Sequence, residues 1–310
     1  MTDLDAVADV DDSGAQQEQL AANCVPAANL PLDSGSQAFV RTLAPDCCPA
    51  WHLLRARFHS LAIRCGSKTS MFFTQALGPA DAPVLPPSPL VVISPHLDDA
   101  VLSCAGLLAA RPGSTVVTVY TALAPTPHLR TEWDRCCGFD NAQAAMTCRL
   151  AEDREALGMV GAVGRALDFL DSQYTATPDE DAPRITERLF HLLASLAPAS
   201  VVMPLGLFHS DHVRISDAAL MIREALPGVG WFAYEDLPYR QLRGVVQARL
   251  SQLLARGVTA TPAHLAVDAT SKARAIGAYA SQLKGLDCTA SELALHETFW
   301  RLTDGAVDAR

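Results

Sequence analysis

Two short segments of the chain concentrate the side chains able to do chemistry. The first, Ser94-Pro-His-Leu-Asp-Asp-Ala100, places one imidazole and two carboxylates side by side. His96 and Asp99 are three apart, close enough to converge on one cation if the turn is tight. Imidazole nitrogen and carboxylate oxygen together suit a borderline metal such as Zn²⁺. Asp98 is then left beside the cation, where a base for a water molecule is needed. The second segment, Pro204-Leu-Gly-Leu-Phe-His-Ser-Asp-His212, carries His209 and His212 at i, i+3 with Asp211 between them. Together the segments offer His96, Asp99 and His212 to a metal and leave a coordination position open for water. That is the layout of a catalytic site, not of a closed structural one. Asp98 and His209 remain as one potential base and one potential acid. Each segment also has a plainer reading: Asp98 or Asp99 as a helix cap, and the histidine cluster as a polar helix N-terminus.

Both segments lie where strand gives way to helix. Leu90–Ser94 is a short apolar, β-branched run that reads as a buried parallel strand. From Asp98 the apolar residues recur at helical spacing and stop at Arg111-Pro-Gly. Strands are predicted at Ser114–Tyr120, Ala166–Leu170, Ser200–Pro204 and Trp231–Tyr234. Helices are predicted over 140–158, with Gly158 as C-cap, over 183–196 and from Val213 to Ala225. Residues 122–138 read as a polar loop. This alternation predicts an α/β fold, a Rossmann-like, mostly parallel sheet with helices on both faces. In such sheets ligands collect at the carboxyl ends of strands, where both segments sit.

His96-Leu-Asp-Asp and His209-Ser-Asp-His resemble the two signatures of the PIG-L/LmbE-like zinc deacetylases, H-P-D-D and H-P-D-H. Arg149-Leu-Ala-Glu-Asp-Arg-Glu-Ala-Leu-Gly158 resembles the family's R-x-x-E helix. Trp133-Asp134, Cys137-Gly-Phe139, Asp171-Ser-Gln-Tyr174 and Tyr234-Glu-Asp-Leu-Pro-Tyr239 resemble a bacterial subgroup. The match spans roughly residues 88–300. Leu97 and Ser210 replace the two motif prolines, and Ala100 replaces a Glu often found after the Asp pair. The resemblance implies hydrolysis of an N-acetyl group on an N-acetylglucosaminyl-type conjugate, a small-molecule substrate attacked by zinc-bound water. It assigns His96, Asp99 and His212 to Zn²⁺ and makes Asp98 the general base. His209 stabilises the oxyanion or protonates the leaving amine, with Asp211 orienting it. An amidase cleaving a sugar–thiol conjugate is the near alternative. A non-catalytic sugar-binding protein is the distant one, and the retained base argues against it.

Weaker features have two readings each. Asp134 could bind a substrate hydroxyl or cap a turn, and Trp133 could stack a sugar or anchor its loop. Tyr234 and Tyr239 read as packing residues. Arg149 and Glu152, three apart, read as an i, i+3 salt bridge. There is no G-x-S-x-G and no G-x-G-x-x-G, so a serine hydrolase and a dinucleotide site are not expected.

Composition sets the remaining bounds. The 310 residues are 49% hydrophobic and 19% charged, enough apolar material for a sizeable core. The net charge of −10 argues against a nucleic-acid or anionic-membrane partner. Seven of the 34 acids fall in residues 1–40, which hold no Lys or Arg. Residues 1–35 therefore read as a disordered acidic leader, 36–87 as an extension ending in a Pro-rich linker, and 88–310 as the deacetylase-like domain. Nine cysteines without a C-x-x-C read as reduced thiols. With no apolar run long enough to span a bilayer and no secretory signal pattern, a cytoplasmic protein is expected.

Overall fold

The computed structural model describes residues 83–305. The expected leader and most of the expected extension lie outside them. Strands β1 (Leu90–Ser94), β2 (Thr115–Tyr120), β3 (Val163–Phe169), β4 (Ser200–Pro204), β5 (Gly230–Tyr234), β6 (Val258–Ala263) and β7 (Phe299–Asp304) form one sheet in the order β3-β2-β1-β4-β5-β7-β6. The first five are parallel; β7 runs antiparallel to both β5 and β6.

The alternation of β1 shows how the sheet is covered. Val91 and Ile93 point to one face and pack with helices α4 (Ala182–Leu196), α5 (Ser210–Ala225) and α6 (Val245–Ala255). Leu90 and Val92 point to the other face and pack with α1 (Asp99–Ala110), α3 (Ala142–Met159), α7 (Lys272–Gly277), α8 (Ala280–Leu286) and α9 (Ala290–Leu293). All five β1 residues are buried, as a central parallel strand requires. The mostly parallel α/β sheet expected from the sequence is the sheet observed.

Several local expectations change. Residues 122–138 contain a short helix, α2 (Glu132–Cys137), closed by a capping box between Thr131 and Asp134 and by Gly138 at φ +92°. A single turn and a half leaves no period to read. Helix α3 runs past Gly158 to Met159, and the left-handed glycine is Gly161 at φ +69°. Strand β3 begins at Val163, earlier than expected, because its first four residues are exposed at the sheet edge and form no apolar run. The end of the expected linker is docked: Val84 N–H donates to the His264 carbonyl at 2.8 Å, and its own carbonyl accepts from Ala266 N–H at 3.0 Å.

From β1 the chain moves outward to β2 and β3, then returns to β4 on the other side of β1. The loops after β1 and β4 therefore diverge and leave a crevice at the carboxyl edge. This is the topological switch point, where α/β sheets of this order bind ligands. The two reactive segments occupy those two loops.

Candidate active site

The β1–α1 turn is held by hydrogen bonds within a few residues. Ser94 Oγ donates to the His96 carbonyl at 2.7 Å and accepts from Ala100 N–H at 3.0 Å. His96 N–H donates to Asp99 Oδ2 at 2.8 Å. Asp98 stands at the N-cap position but makes no side-chain cap bond; its φ of +138° is a conformation that an L-residue rarely adopts. The plain capping reading of Asp98 is thus not what the structure contains. Leu97, which replaces a motif proline, is buried against Ala124, Ala142, Met146 and Tyr174. Packing fixes the turn where a pyrrolidine ring is missing.

The β4–α5 turn brings the histidines opposite. His96, Asp99 and His212 offer ligand atoms that all lie within 4.8 Å of one another, and all three residues are buried. Asp99 Oδ2 is 3.3 Å from both His96 Nδ1 and His212 Nε2. The other ring nitrogens face carboxylates. His212 Nδ1 is 2.7 Å from Asp236 Oδ1, and His96 Nε2 is 3.0 Å from Asp211 Oδ2. Each carboxylate holds a ring hydrogen on its own side, so that in the neutral ring the opposite nitrogen, beside Asp99, is the one free to ligate. Asp236 is itself held by the N–H groups of Gly206 and Leu207, at 2.9 and 3.2 Å. Gly206 has φ +86°, and a β-carbon there would stand 2.6 Å from Ser216 Cβ, so this turn requires glycine.

A second grouping, His96, His209 and Asp211, also lies within 4.8 Å. It is the poorer cation site. Asp211 is already paired with the Arg214 guanidinium and accepts from Ser172 Oγ at 2.7 Å. His209 Nδ1 is occupied by Asp211 N–H at 3.2 Å.

The electrostatics suit a cation at the first grouping. Asp98, Asp99, Asp171, Asp211 and Asp236 surround the two imidazoles. Burial disfavours a charged His96, yet Asp171, Asp211 and Asp99 outweigh it and hold its pKa well above the ordinary value. Burial likewise opposes charge on His212, and Asp99 and Asp236 outweigh it. Protons on the two rings balance part of the buried negative charge. A divalent cation would supply the same two positive charges and return both rings to the neutral, ligating form. The donor set therefore fits a borderline dication.

Asp98 and His209 differ from the ligands. Burial, with the adjacent Asp99 carboxylate, pushes Asp98 up to about 8. Burial and the positive charge of His96 and His212 push His209 down to about 4. Its Nδ1 accepts a backbone hydrogen bond, so the neutral ring carries its hydrogen on Nε2. The His209 ring lies 5.4 Å from His96 and 5.5 Å from His212, centre to centre.

Other expectations are decided by the same geometry, some of them against the sequence reading. The Asp211 carboxylate orients His96, not His209; it reaches His209 only through its backbone N–H. Arg149 does not bridge to Glu152. It faces Asp171 at 3.5 Å, while Glu152 accepts from Ser281 N–H and Oγ at 2.7 and 2.6 Å. Asp134 takes its capping role: Oδ2 accepts from Thr131 N–H at 2.9 Å and Oδ1 from Tyr174 Oη at 2.7 Å, deep inside the domain. Trp133 anchors α2, its Nε1–H donating to Gln282 Oε1 at 3.2 Å. Tyr234 and Tyr239 are packing residues, both buried. Asp236, Asp171 and Ser172 were missed as parts of the site. Asp236 follows β5 at the carboxyl edge of the sheet, a position that could have flagged it.

Residues 91–222 match the profile of the PIG-L family, described as GlcNAc-PI de-N-acetylase. Over that stretch the chain is similar to the PIG-L family. The matched stretch runs from within β1 into α5 and so includes every candidate ligand. The protein is 31% identical over 182 residues to 2′-N-acetylparomamine deacetylase of Streptomyces fradiae, covering 54% of this chain and 63% of that enzyme. Among solved structures, the A40926 pseudoaglycone deacetylase is similar to this chain with 26% identity and a TM-score of 0.59, over 71% of this chain and 98% of the other. A triple mutant of a deacetylase of the teicoplanin biosynthetic pathway is similar at 26% identity and a TM-score of 0.60, over 71% and 99%.

Proposed function

We propose that the protein is a metal-dependent N-deacetylase acting on an N-acetylated amino sugar within a glycosylated small molecule. The observation that carries this reading is the convergence of His96, Asp99 and His212 within 4.8 Å, beside Asp98, in a stretch similar to the PIG-L family. Relatives named as a 2′-N-acetylparomamine deacetylase, an A40926 pseudoaglycone deacetylase and a deacetylase of the teicoplanin biosynthetic pathway support the substrate class.

His96 through Nδ1, Asp99 through a carboxylate oxygen and His212 through Nε2 would hold the ion, with Zn²⁺ the expected metal. When bound, the ion acts as a Lewis acid towards the amide and lowers the pKa of water. Asp98 takes the proton of the attacking water. Asp98 then delivers that proton to the departing nitrogen. An amine leaves poorly as an anion, so this delivery is required. His209, neutral with its hydrogen on Nε2, donates to the developing oxyanion. Of the two roles that the sequence left open for His209, oxyanion stabilisation suits a ring kept neutral by burial. Asp211 and Asp236 orient the imidazoles of His96 and His212.

The test is incubation of metal-loaded protein with a panel of N-acetylated aminoglycosides and N-acetylglucosaminyl conjugates, following acetate and new primary amine together. Equal release of both is expected. Amine without acetate would point to cleavage of another amide, and neither product from any member would overturn the reading.

A further inference from the structure

Phe208 directly precedes His209 on the turn between β4 and α5. Its φ of +62° lies in the left-handed region, which is unfavourable for a bulky residue. The residue is also 46% exposed. Core building does not explain such a residue, since it gains neither full burial nor a relaxed backbone. Its neighbour Leu207, by contrast, is buried in the core. The Phe208 ring stacks on Tyr239 at 6.0 Å and 26°. Tyr239 in turn lies 5.8 Å from the ring of His209 and 5.1 Å from that of His212. An ordered, exposed aromatic surface thus adjoins the groups that handle the amide.

We propose that Phe208 is a specificity-determining residue: its ring is the platform for the group attached to the N-acetylated sugar, a ring with a flat apolar face. This rests on the deacetylase reading, with the acetamido group at His209 and the metal ligands. A flat face stacks on an aromatic ring through dispersion and the ring quadrupole. Tyr239 holds the platform in place beforehand, so little side-chain freedom is lost on binding. The strained backbone is what presents the ring beside the site while Leu207 and His209 keep their own places.

The test compares p-nitrophenyl and methyl glycosides of N-acetyl-β-glucosamine with the metal-loaded full chain. Affinity is read by calorimetry and turnover by acetate release. The wild type is expected to prefer the aryl glycoside by about three- to ten-fold, the range of one aromatic stacking contact. Phe208→Ala should bring the ratio close to one, and Phe208→Trp should keep it. Phe208→Gly should also lose the preference while its melting midpoint stays at or above that of the wild type, because glycine relaxes at positive φ. An unchanged preference in Phe208→Ala and Phe208→Gly, or no preference in the wild type, overturns the platform. Aryl preference in binding with no acetate from either glycoside overturns the deacetylase reading and leaves the platform standing.

Discussion

Asp98 and Asp99 are adjacent in sequence yet stand in different surroundings. Asp99 meets His96 and His212 at 3.3 Å, whereas Asp98 is displaced by a φ of +138° and makes no cap bond. Asp98→Asn is expected to keep its metal and lose turnover by about 10²–10⁴-fold, the usual share of a general base. Asp99→Asn is expected to lose metal, because a neutral amide oxygen is a poorer ligand for a dication. Metal content and kcat measured on both variants check this; metal lost from the first and kept by the second would reverse the roles. Asp236 acts one step further out. Its removal frees the His212 ring to rotate and leaves the Gly206 and Leu207 N–H groups without their acceptor. Asp236→Asn should weaken metal binding by about 10–100-fold, the usual effect of losing a carboxylate behind a ligating histidine. Competition with a chromophoric chelator measures it directly, and an unchanged affinity would show that His212 is oriented by something else.

At the scale of elements, α3 ties the site to the far helices. Asp153 on α3 accepts from Tyr279 Oη at 2.7 Å, in the loop between α7 and α8. Burial raises its pKa to about 6, against the lowering effect of Tyr279 and Arg149. The folded protein therefore keeps a proton that the unfolded chain releases between about pH 4 and pH 6. This contribution to stability is complete below that window and is lost as pH rises through it. Asp153→Asn stays neutral and can still accept from Tyr279. The variant should lose less stability than the wild type between pH 4 and pH 6, read as denaturant midpoints at pH 4, 5 and 6. Parallel pH profiles of the two proteins would sink this account.

At the scale of the molecule, the sheet is closed on one side by β7 and β6, which run against the parallel set. The PIG-L match ends at residue 222, before either strand. The C-terminal part nevertheless reaches into α1: Glu297 accepts from Gly106 and Leu107 N–H at 2.7 and 3.0 Å and pairs with the buried Lys272 at 2.9 Å. Helix α1, which begins at Asp99, is thus braced from outside the family segment. Among the described residues no helix is long and apolar enough to cross a membrane. The acidic stretch 1–35 has no periodic apolar face in its sequence. Its deletion is expected to leave the melting midpoint and turnover unchanged; a large drop in midpoint would show that it packs on the domain.

The sequence by itself determined the reactive groups and the strands that present them. His96, Asp98 and Asp99 are spaced by one tight turn, and β1 and β4 are uninterrupted apolar runs that need no partner to be recognised. Such features are local, set by residues within a few positions of one another. Tertiary structure alone decided who meets whom. Asp211 lies 115 positions from the His96 ring that it holds, and Asp236 lies 24 positions from His212. Arg149 turned away from Glu152 towards Asp171, 22 positions on. The two carboxylate–imidazole pairings follow from β1 lying beside β4, and β4 beside β5, in the sheet, an order fixed by the packing of both helical layers rather than by any local pattern. The antiparallel β6 and β7 escaped the sequence for the same reason: their half-exposed residues carry no continuous apolar run, and their place is set by β5.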